Sequence, residues 1–206
     1  MQNDEKQSNF LMRVYDLYNR YGIKSVTMDD VARELGISKK TVYECIKDKA
    51  HLVEDVMFMI HNHHAQKLNE LVSHDINAIE ELFVVNRYMV EMMKEQNPSL
   101  GYDLRKYYPE IFKRLLAVQR EKMHEAIRLN LEKGVREGLF RNDLNIEIIS
   151  RMHMTRLEYG QSADPNVLSD INSEEVMREI FIYHMHGIAS PEGLIELEKQ
   201  INKYWK

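Results

Sequence analysis

Residues 27–49, TMDDVARELGISKKTVYECIKDK, constrain the fold of this chain more than any other stretch. Thr27 and Asp30 are spaced as in a capping box, where each side chain bonds the other residue's backbone N–H at the start of a helix. The helix that follows has one apolar face, because its apolar residues recur at i, i+3, i+4 and i+7: Met28, Val31, Ala32 and Leu35. Gly36 can take the left-handed conformation that ends a helix. This half of the stretch predicts a short amphipathic helix with a sharp end.

The second half predicts another short helix. Ile37 is expected to act as an apolar plug in the turn, and Ser38 is a good N-cap. Val42, Cys45 and Ile46 can pack inward. Lys39 and Lys40 stand at the helix start, where cations oppose the helix dipole, so helix stability does not explain them. A recognition helix that faces DNA explains them, whereas a helical hairpin with solvated lysines is the alternative.

Composition extends the helical prediction to the whole chain. The 206 residues include only 4 Pro and 8 Gly, with 44% hydrophobic residues, which favours an all-α globular protein. No apolar run approaches the roughly 18 residues of a membrane helix, so we expect a cytoplasmic protein. The single Cys cannot form an intrachain disulfide. No nucleophile motif or phosphate-binding glycine loop occurs, so we expect no enzyme activity and no cofactor.

Charge is distributed unevenly along the chain. The net charge is −5, yet residues 1–50 hold nine Lys and Arg against eight Asp and Glu. Residues 36–50 are the locally basic segment, with four lysines and two acids. Such a small basic surface binds DNA tightly only when two copies act together, which predicts a dimer.

A third helix completes the N-terminal unit. Residues 8–21 carry a broad apolar stripe that ends at Gly22, and residues 23–26 are a short connector to Thr27. The sequence therefore predicts a three-helix bundle with a helix-turn-helix over residues 1–48, and a larger helical domain over residues 49–206.

From Leu17 to Val53 the chain resembles the N-terminal domain of the TetR family of transcriptional regulators. The shared positions are Tyr21-Gly22, Thr27, Val31-Ala32, Gly36 to Lys39, Thr41 to Tyr43, and Asp48-Lys49. The resemblance implies an operator-binding homodimer, in most members a repressor. It also implies DNA contacts for Thr27, Lys39, Lys40, Thr41, Tyr43, Lys47 and Lys49. Two departures stand out: Lys40 replaces a small residue, and Cys45-Ile46 replaces an aromatic pair.

The remaining chain is predicted to form long helices. They run from Lys49 to about residue 71, over 76–96, before Pro109, over 110–137 and 145–161, after Ser173, and from Pro191 onward. The apolar residues of the 76–96 helix cover most of its circumference, which predicts central burial.

A pocket for a small organic effector is expected among aromatic, methionine and polar side chains of this domain. The candidates are Tyr88, Met92, Tyr102, Arg105, Tyr108, Met123 and His124. The late helices of TetR-like proteins commonly form the dimer bundle, although packing within the chain is an equal alternative. The candidate dimer residues are Ile148, Met152, Tyr159, Val176, Ile180, Tyr183 and His184.

Two side-chain types leave alternatives open. Cys45 could be a redox sensor, but its inward position favours packing. The helix after Lys49 is rich in histidine, with His61, His63 and His64 at its centre and His51 and His74 near its ends. This spacing lacks the i, i+4 pair of helical zinc sites, so we assign no metal site. A metal-responsive regulator and a helical metal-binding or interaction module without DNA binding remain the alternatives to a regulator that an organic effector controls.

Overall fold

The protein is all-α, as the sequence predicts. This computed structural model describes residues 2–72, 75–162 and 173–205, and only the backbone of residues 2–5, 45, 156–162, 173 and 174. The helices are α1 (Gln2–Tyr21), α2 (Met28–Leu35), α3 (Lys39–Cys45), α4 (Lys49–Val72), α5 (Ala78–Glu95), α6 (Pro98–Tyr107), α7 (Pro109–Arg136), α8 (Ile146–Ser162), α9 (Ser173–Ile188) and α10 (Pro191–Tyr204). None of the helices in the described ranges is long and apolar enough to span a bilayer.

Helix boundaries follow the local signals of the sequence. Asn97 and Ser190 cap α6 and α10, and in each case proline is the first helical residue. Gly22, with φ of 80°, ends α1. α1 begins at Gln2, six residues earlier than predicted, because the polar residues 2–7 contain no helix breaker although they lack an apolar stripe. The sequence pattern therefore located the helices but underestimated the first.

The first compact unit comprises Met1–Leu71 and Tyr88–Gln119. It contains the three N-terminal helices, most of α4, the end of α5, α6 and the start of α7. Its largest fully buried side chains include Tyr18, Ile23, Leu52 and Leu100. The predicted domain boundary after residue 48 lies inside this unit and stays a prediction, because it separates functions and not compact bodies.

The second compact unit comprises Val72–Arg87 and Arg120–Lys206. Its core contains Phe83, Phe140 and Phe181, and the rings of Phe83 and Phe181 meet edge to face with centroids 5.0 Å apart. An isolated antiparallel bridge joins Phe140 to Ala189, with Arg141 N donating to Ile188 O at 2.9 Å. This bridge holds the turn after α7 against the end of α9.

The predicted central burial of the 76–96 helix is wrong for its second half. Ala78, Ile79, Phe83 and Val84 are buried at its start, but Met93 near its end is 52% exposed. An apolar circumference shows that a helix can be buried on all sides, whereas actual burial depends on how many neighbouring elements surround it.

Candidate nucleic-acid interface

The N-terminus of α2 is a complete capping box. Thr27 Oγ1 accepts a hydrogen bond from Asp30 N at 3.2 Å, and Asp30 Oδ2 accepts bonds from Thr27 N at 2.9 Å and from Thr27 Oγ1 at 2.6 Å. These bonds, the hydroxyl bond first, lower the pKa of the Asp30 carboxyl. Thr27 is exposed at this helix end, so its hydroxyl and backbone can face a phosphate.

Gly36 sets the turn between α2 and α3. Its φ of 69° is left-handed, and its N–H donates to Arg33 O while Ile37 N donates to Ala32 O at 3.1 Å. The prediction that Ile37 plugs the turn is wrong, because Ile37 is 37% exposed. Backbone hydrogen bonds close this turn, and an apolar plug is not needed.

α3 presents a polar face to solvent. Ser38 Oγ accepts from Thr41 N at 3.1 Å, which caps the helix as predicted. Val42 and Ile46 are buried beneath it. The Cys45 side chain, for which packing was predicted, lies outside the described residues. Burial of one face leaves the opposite face of α3 free to approach a partner.

The exposed face of this region carries cations and an aromatic side chain. Lys39, Lys40 and Lys47 are exposed, and Tyr43 is 45% exposed. Thr41 is half-buried, with its hydroxyl 2.8 Å from that of Ser38. These groups donate hydrogen bonds and supply positive charge, which suits phosphates and base edges.

Ion pairs bring the N-terminal ends of α2, α3 and α4 together. Lys39 Nζ lies 2.9 Å from Asp29 Oδ2, which joins the start of α3 to the start of α2. At the start of α4, the Lys49 ammonium feels the charge of Asp30 and donates to Lys24 O at 3.3 Å. Partial burial lowers the pKa of Lys49, and the charges of Asp103 and Asp30 oppose that effect.

This convergence favours anion binding. Helix N-termini carry positive partial charge, and the lysines add full charges beside them. The Lys39–Asp29 pair is exposed on both sides, so it contributes little stability and Lys39 can exchange Asp29 for a phosphate. The predicted DNA-binding residues therefore lie within one short segment whose helix starts meet.

The predicted effector residues are divided between the two units. Tyr88, Met92, Tyr102, Arg105 and Tyr108 belong to the first unit, whereas Met123 and His124 belong to the second. Tyr88 is half-buried and its hydroxyl lies 2.6 Å from Nδ1 of His64. Tyr102 and Arg105 are exposed. The effector site stays a prediction.

The histidines of α4 do not form a metal cluster with one another. In the described ranges, no group of three or more His, Cys, Asp or Glu side chains is arranged to hold a metal ion. His74 lies outside the described residues. His51 instead pairs with Asp48, whose carboxylate accepts from His51 N at 2.9 Å and caps α4.

The predicted dimer residues contribute an apolar surface on α8 and α9. Ile148, Met152 and Tyr183 are 55%, 60% and 85% exposed. Val176, Ile180 and His184 are half-buried, and the Tyr159 side chain lies outside the described residues. Ile148 and Met152 are four positions apart, so they share a face of α8.

Sequence reasoning missed two cations near the start of α2. Lys24 and Lys106 both approach the ring of Tyr107, with ammonium-to-centroid distances of 5.0 and 5.4 Å. No spacing rule could have found this cluster, because Lys24 and Lys106 are far apart in the chain and meet only through the tertiary fold.

Comparison with known families identifies the N-terminal domain. Residues 15–56 match the family described as "Bacterial regulatory proteins, tetR family". This range contains the capping box, the turn, α3 and the start of α4. The predicted resemblance to TetR regulators is confirmed. A comparison with curated protein sequences found no match.

Solved structures share the fold over almost the whole chain. A transcriptional regulator from Cytophaga hutchinsonii has a TM-score of 0.77 at 15% identity and covers 90% of this chain and 99% of its own. A TetR transcription regulator from Haloarcula marismortui has a TM-score of 0.72 at 18% identity and covers 91% of this chain and 100% of its own.

A third similar structure contains a small molecule. This protein from Saccharomonospora viridis, described as a transcriptional regulator in complex with choline, has a TM-score of 0.63 at 15% identity. It covers 91% of this chain and 99% of its own. At these identities the likeness establishes the fold. Together, the matched domain and the fold show that this chain carries the DNA-binding domain of the tetR family of bacterial regulatory proteins on the fold of its transcriptional regulators.

Proposed function

We propose that the protein is a homodimeric transcriptional repressor that binds a near-palindromic DNA operator and leaves it when a small organic effector binds. The observation that carries this proposal is the meeting of three helix N-termini beside exposed lysines of α3. Such a surface is suited to phosphates, while Tyr43 and the lysines of α3 reach base edges.

Operator binding depends on two copies. One chain offers few cations, and two recognition helices about 34 to 36 Å apart read successive major-groove faces. The exposed apolar side chains of α8 and α9 support a dimer, because Ile148, Met152 and Tyr183 would otherwise leave apolar area in water. A second copy of the same surface would cover it.

Effector control requires a difference in affinity between two conformations. An effector that binds better to a non-binding arrangement of the recognition helices shifts the population away from DNA. The choline bound to the similar protein from Saccharomonospora viridis supports an organic effector. Half-buried Tyr88 and Met92 on α5 are our first candidates to contact it.

The DNA contact is tested with Lys39→Ala and Tyr43→Ala. We expect both variants to bind selected operator DNA more weakly at matched salt, and Lys39→Ala to reduce the salt slope by about 1 for the lost phosphate contact. Lys113→Ala is the matched control, since Lys113 is also an exposed lysine in an ion pair, with Glu110 on α7. Equal affinity of Lys39→Ala, Tyr43→Ala and the wild type would refute the assignment of α3.

The dimer is tested with Met152→Glu and Tyr183→Glu. A carboxylate buried in an apolar interface is strongly unfavourable, so we expect monomers in sedimentation and at least about 100-fold weaker operator binding. Ile195→Glu on α10 is the control, because Ile195 is 74% exposed in the same unit but outside the predicted interface. Persistent dimers in both α8 and α9 variants would place the interface elsewhere.

A further inference from the structure

A second basic surface lies beside the start of α2 and includes residues of α6. It consists of Lys24, Tyr102, Lys106 and Tyr107, which we name the Lys24–Lys106 surface. All four side chains are exposed, and all belong to the first compact unit. The helix-turn-helix itself contributes none of them.

The two ammonium groups of this surface share one aromatic ring. Lys24 Nζ lies 5.0 Å and Lys106 Nζ lies 5.4 Å from the centroid of Tyr107, and Lys106 Nζ donates to the Tyr102 hydroxyl at 2.7 Å. A hydrogen bond from Lys24 lowers the pKa of Tyr107, and the charge of Lys106 opposes protonation of Lys24. Two like charges held this close repel each other, and an anion beside them removes that cost.

The backbone beneath the surface is held in place by buried groups. Asp103 of α6 is buried, and its Oδ2 accepts from Lys24 N at 2.8 Å. Gly22, with φ of 80°, lies against Asp103 and Ser99 so closely that an added Cβ would come within 3.2 Å of both side chains. The loop that carries Lys24 is therefore fixed to the helix that carries Lys106.

The surface is continuous with the helix starts that face DNA. Lys49 Nζ donates to Lys24 O, and Lys24 precedes Thr27 by three residues, which span at most roughly 11 Å. That distance corresponds to about three phosphates along one DNA strand. Near the surface, Asp103 and Asp30 are the carboxylates, and both accept backbone N–H bonds, which leaves the ammonium groups outermost.

We propose that the Lys24–Lys106 surface binds a phosphate of the DNA backbone next to the phosphates held by Thr27 and Lys49, so that α6 is part of the DNA interface. This inference rests on the proposed DNA binding. The Tyr107 ring orients both lysines and thereby reduces the entropy lost when they bind a phosphate. The contact adds affinity without sequence preference, because phosphates carry no base information.

The test uses the Lys24→Gln/Lys106→Gln double variant of the full chain and a mixed-sequence DNA duplex long enough for both recognition helices. We expect log K to fall less steeply with log salt, with the slope smaller by up to about 1.8 per chain for two lost contacts. The ratio of affinities for selected operator and mixed-sequence DNA should stay unchanged. Lys113→Gln, which neutralises an exposed lysine elsewhere on the first unit, should retain the wild-type slope.

The outcomes separate this inference from the proposed function. If the wild type shows no salt-dependent DNA binding, the proposed function fails. If the wild type and Lys39→Ala behave as proposed while the double variant keeps the wild-type slope, only the phosphate contact of α6 is refuted. Tyr107→Phe keeps the ring and should retain most of the slope, whereas Tyr107→Leu should weaken binding; equal binding by these two variants would refute the orienting role of the ring.

Discussion

The helix-turn-helix and the second compact unit hold their helices in place by different kinds of contact. In the helix-turn-helix, the bonds between Thr27 and Asp30, and between Ser38 and Thr41, connect residues three positions apart. In the second unit, Asn130 Nδ2 donates to Ala78 O, and the ring of Phe83 meets that of Phe181. One region depends on neighbours in sequence, and the other on partners that only the fold brings near.

The two regions also differ in what they present to solvent. The helix-turn-helix exposes Lys39, Lys40 and Tyr43, whereas α8 and α9 expose Met152 and Tyr183. Charged donors favour contact with phosphates, and apolar side chains favour contact with another protein surface. The comparison teaches that the two proposed interfaces should respond to different perturbations: the first to salt, and the second to an introduced charge.

The largest expected effect tests the long-range packing of the second unit. A Cβ on Gly193 would lie 1.9 Å from the carbonyl oxygen of Leu139, so Gly193→Ala must move the backbone. That oxygen also accepts from Ser190 N at 2.9 Å. We expect a loss of about 3 kcal/mol in the free energy of unfolding, measured by urea denaturation of the second unit.

Gly187→Ala is the control for that substitution. An added Cβ at Gly187 meets nothing within 4 Å, and Gly187 lies within α9. Alanine should therefore stabilise the unit by up to about 1 kcal/mol, through helix propensity. If both alanine variants lost the same stability, close packing at Gly193 would not be the reason.

A smaller effect is expected at the turn of the helix-turn-helix. Gly36 has space for a Cβ, but its φ of 69° is left-handed. Gly36→Ala should cost about 1 to 2 kcal/mol, because L-residues are strained in this conformation. Gly36→Asn should cost less, since asparagine tolerates it better. Equal losses in thermal melts of the two variants would contradict a purely local cause.

The capping box predicts an effect of similar or smaller size. Thr27→Ala removes the acceptor for Asp30 N and should cost about 1 kcal/mol, whereas Thr27→Ser retains the hydroxyl and should cost much less. Circular dichroism melts at matched concentration measure both. A loss of several kcal/mol in Thr27→Ala would show that Thr27 supports more than its own helix end.

The smallest effect concerns a contact in the first unit that is not local. His64 of α4 bonds Tyr88 of α5, and burial, followed by the charges of His63 and His61, lowers the pKa of His64 below 6.5, while Glu95 opposes this. A lowered pKa means that the unfolded chain binds this proton more tightly. The stabilisation is therefore present above about pH 6.5 and is lost as the pH falls through the folded pKa.

His64→Gln should accordingly remove part of the fall in stability between about pH 7 and about pH 5, as measured by urea unfolding at each pH. His63→Gln changes an exposed ring on the same helix and should retain most of that fall. An identical pH dependence in the wild type and in His64→Gln would show that this junction does not titrate in that range.

The accuracy of the sequence predictions follows the range of the interactions involved. Thr27, Gly36, Ser38 and Pro98 act within one helical turn, so their residue types already determine where helices begin and end. Ile37 and Met93 were misplaced, because the exposure of an apolar residue depends on which distant element covers it. The predicted effector residues remain untested for the same reason, since a pocket needs side chains from several elements.

By itself, the sequence determined the all-α class, the helix-turn-helix and the positions of most helix ends, because these depend on periodicity and on caps that act over three or four residues. Only the tertiary structure decided that Lys24 and Lys106 share the ring of Tyr107, and that Gly193 must lack a side chain against Leu139. These contacts join residues distant in sequence, and no local pattern encodes which distant surfaces pack together.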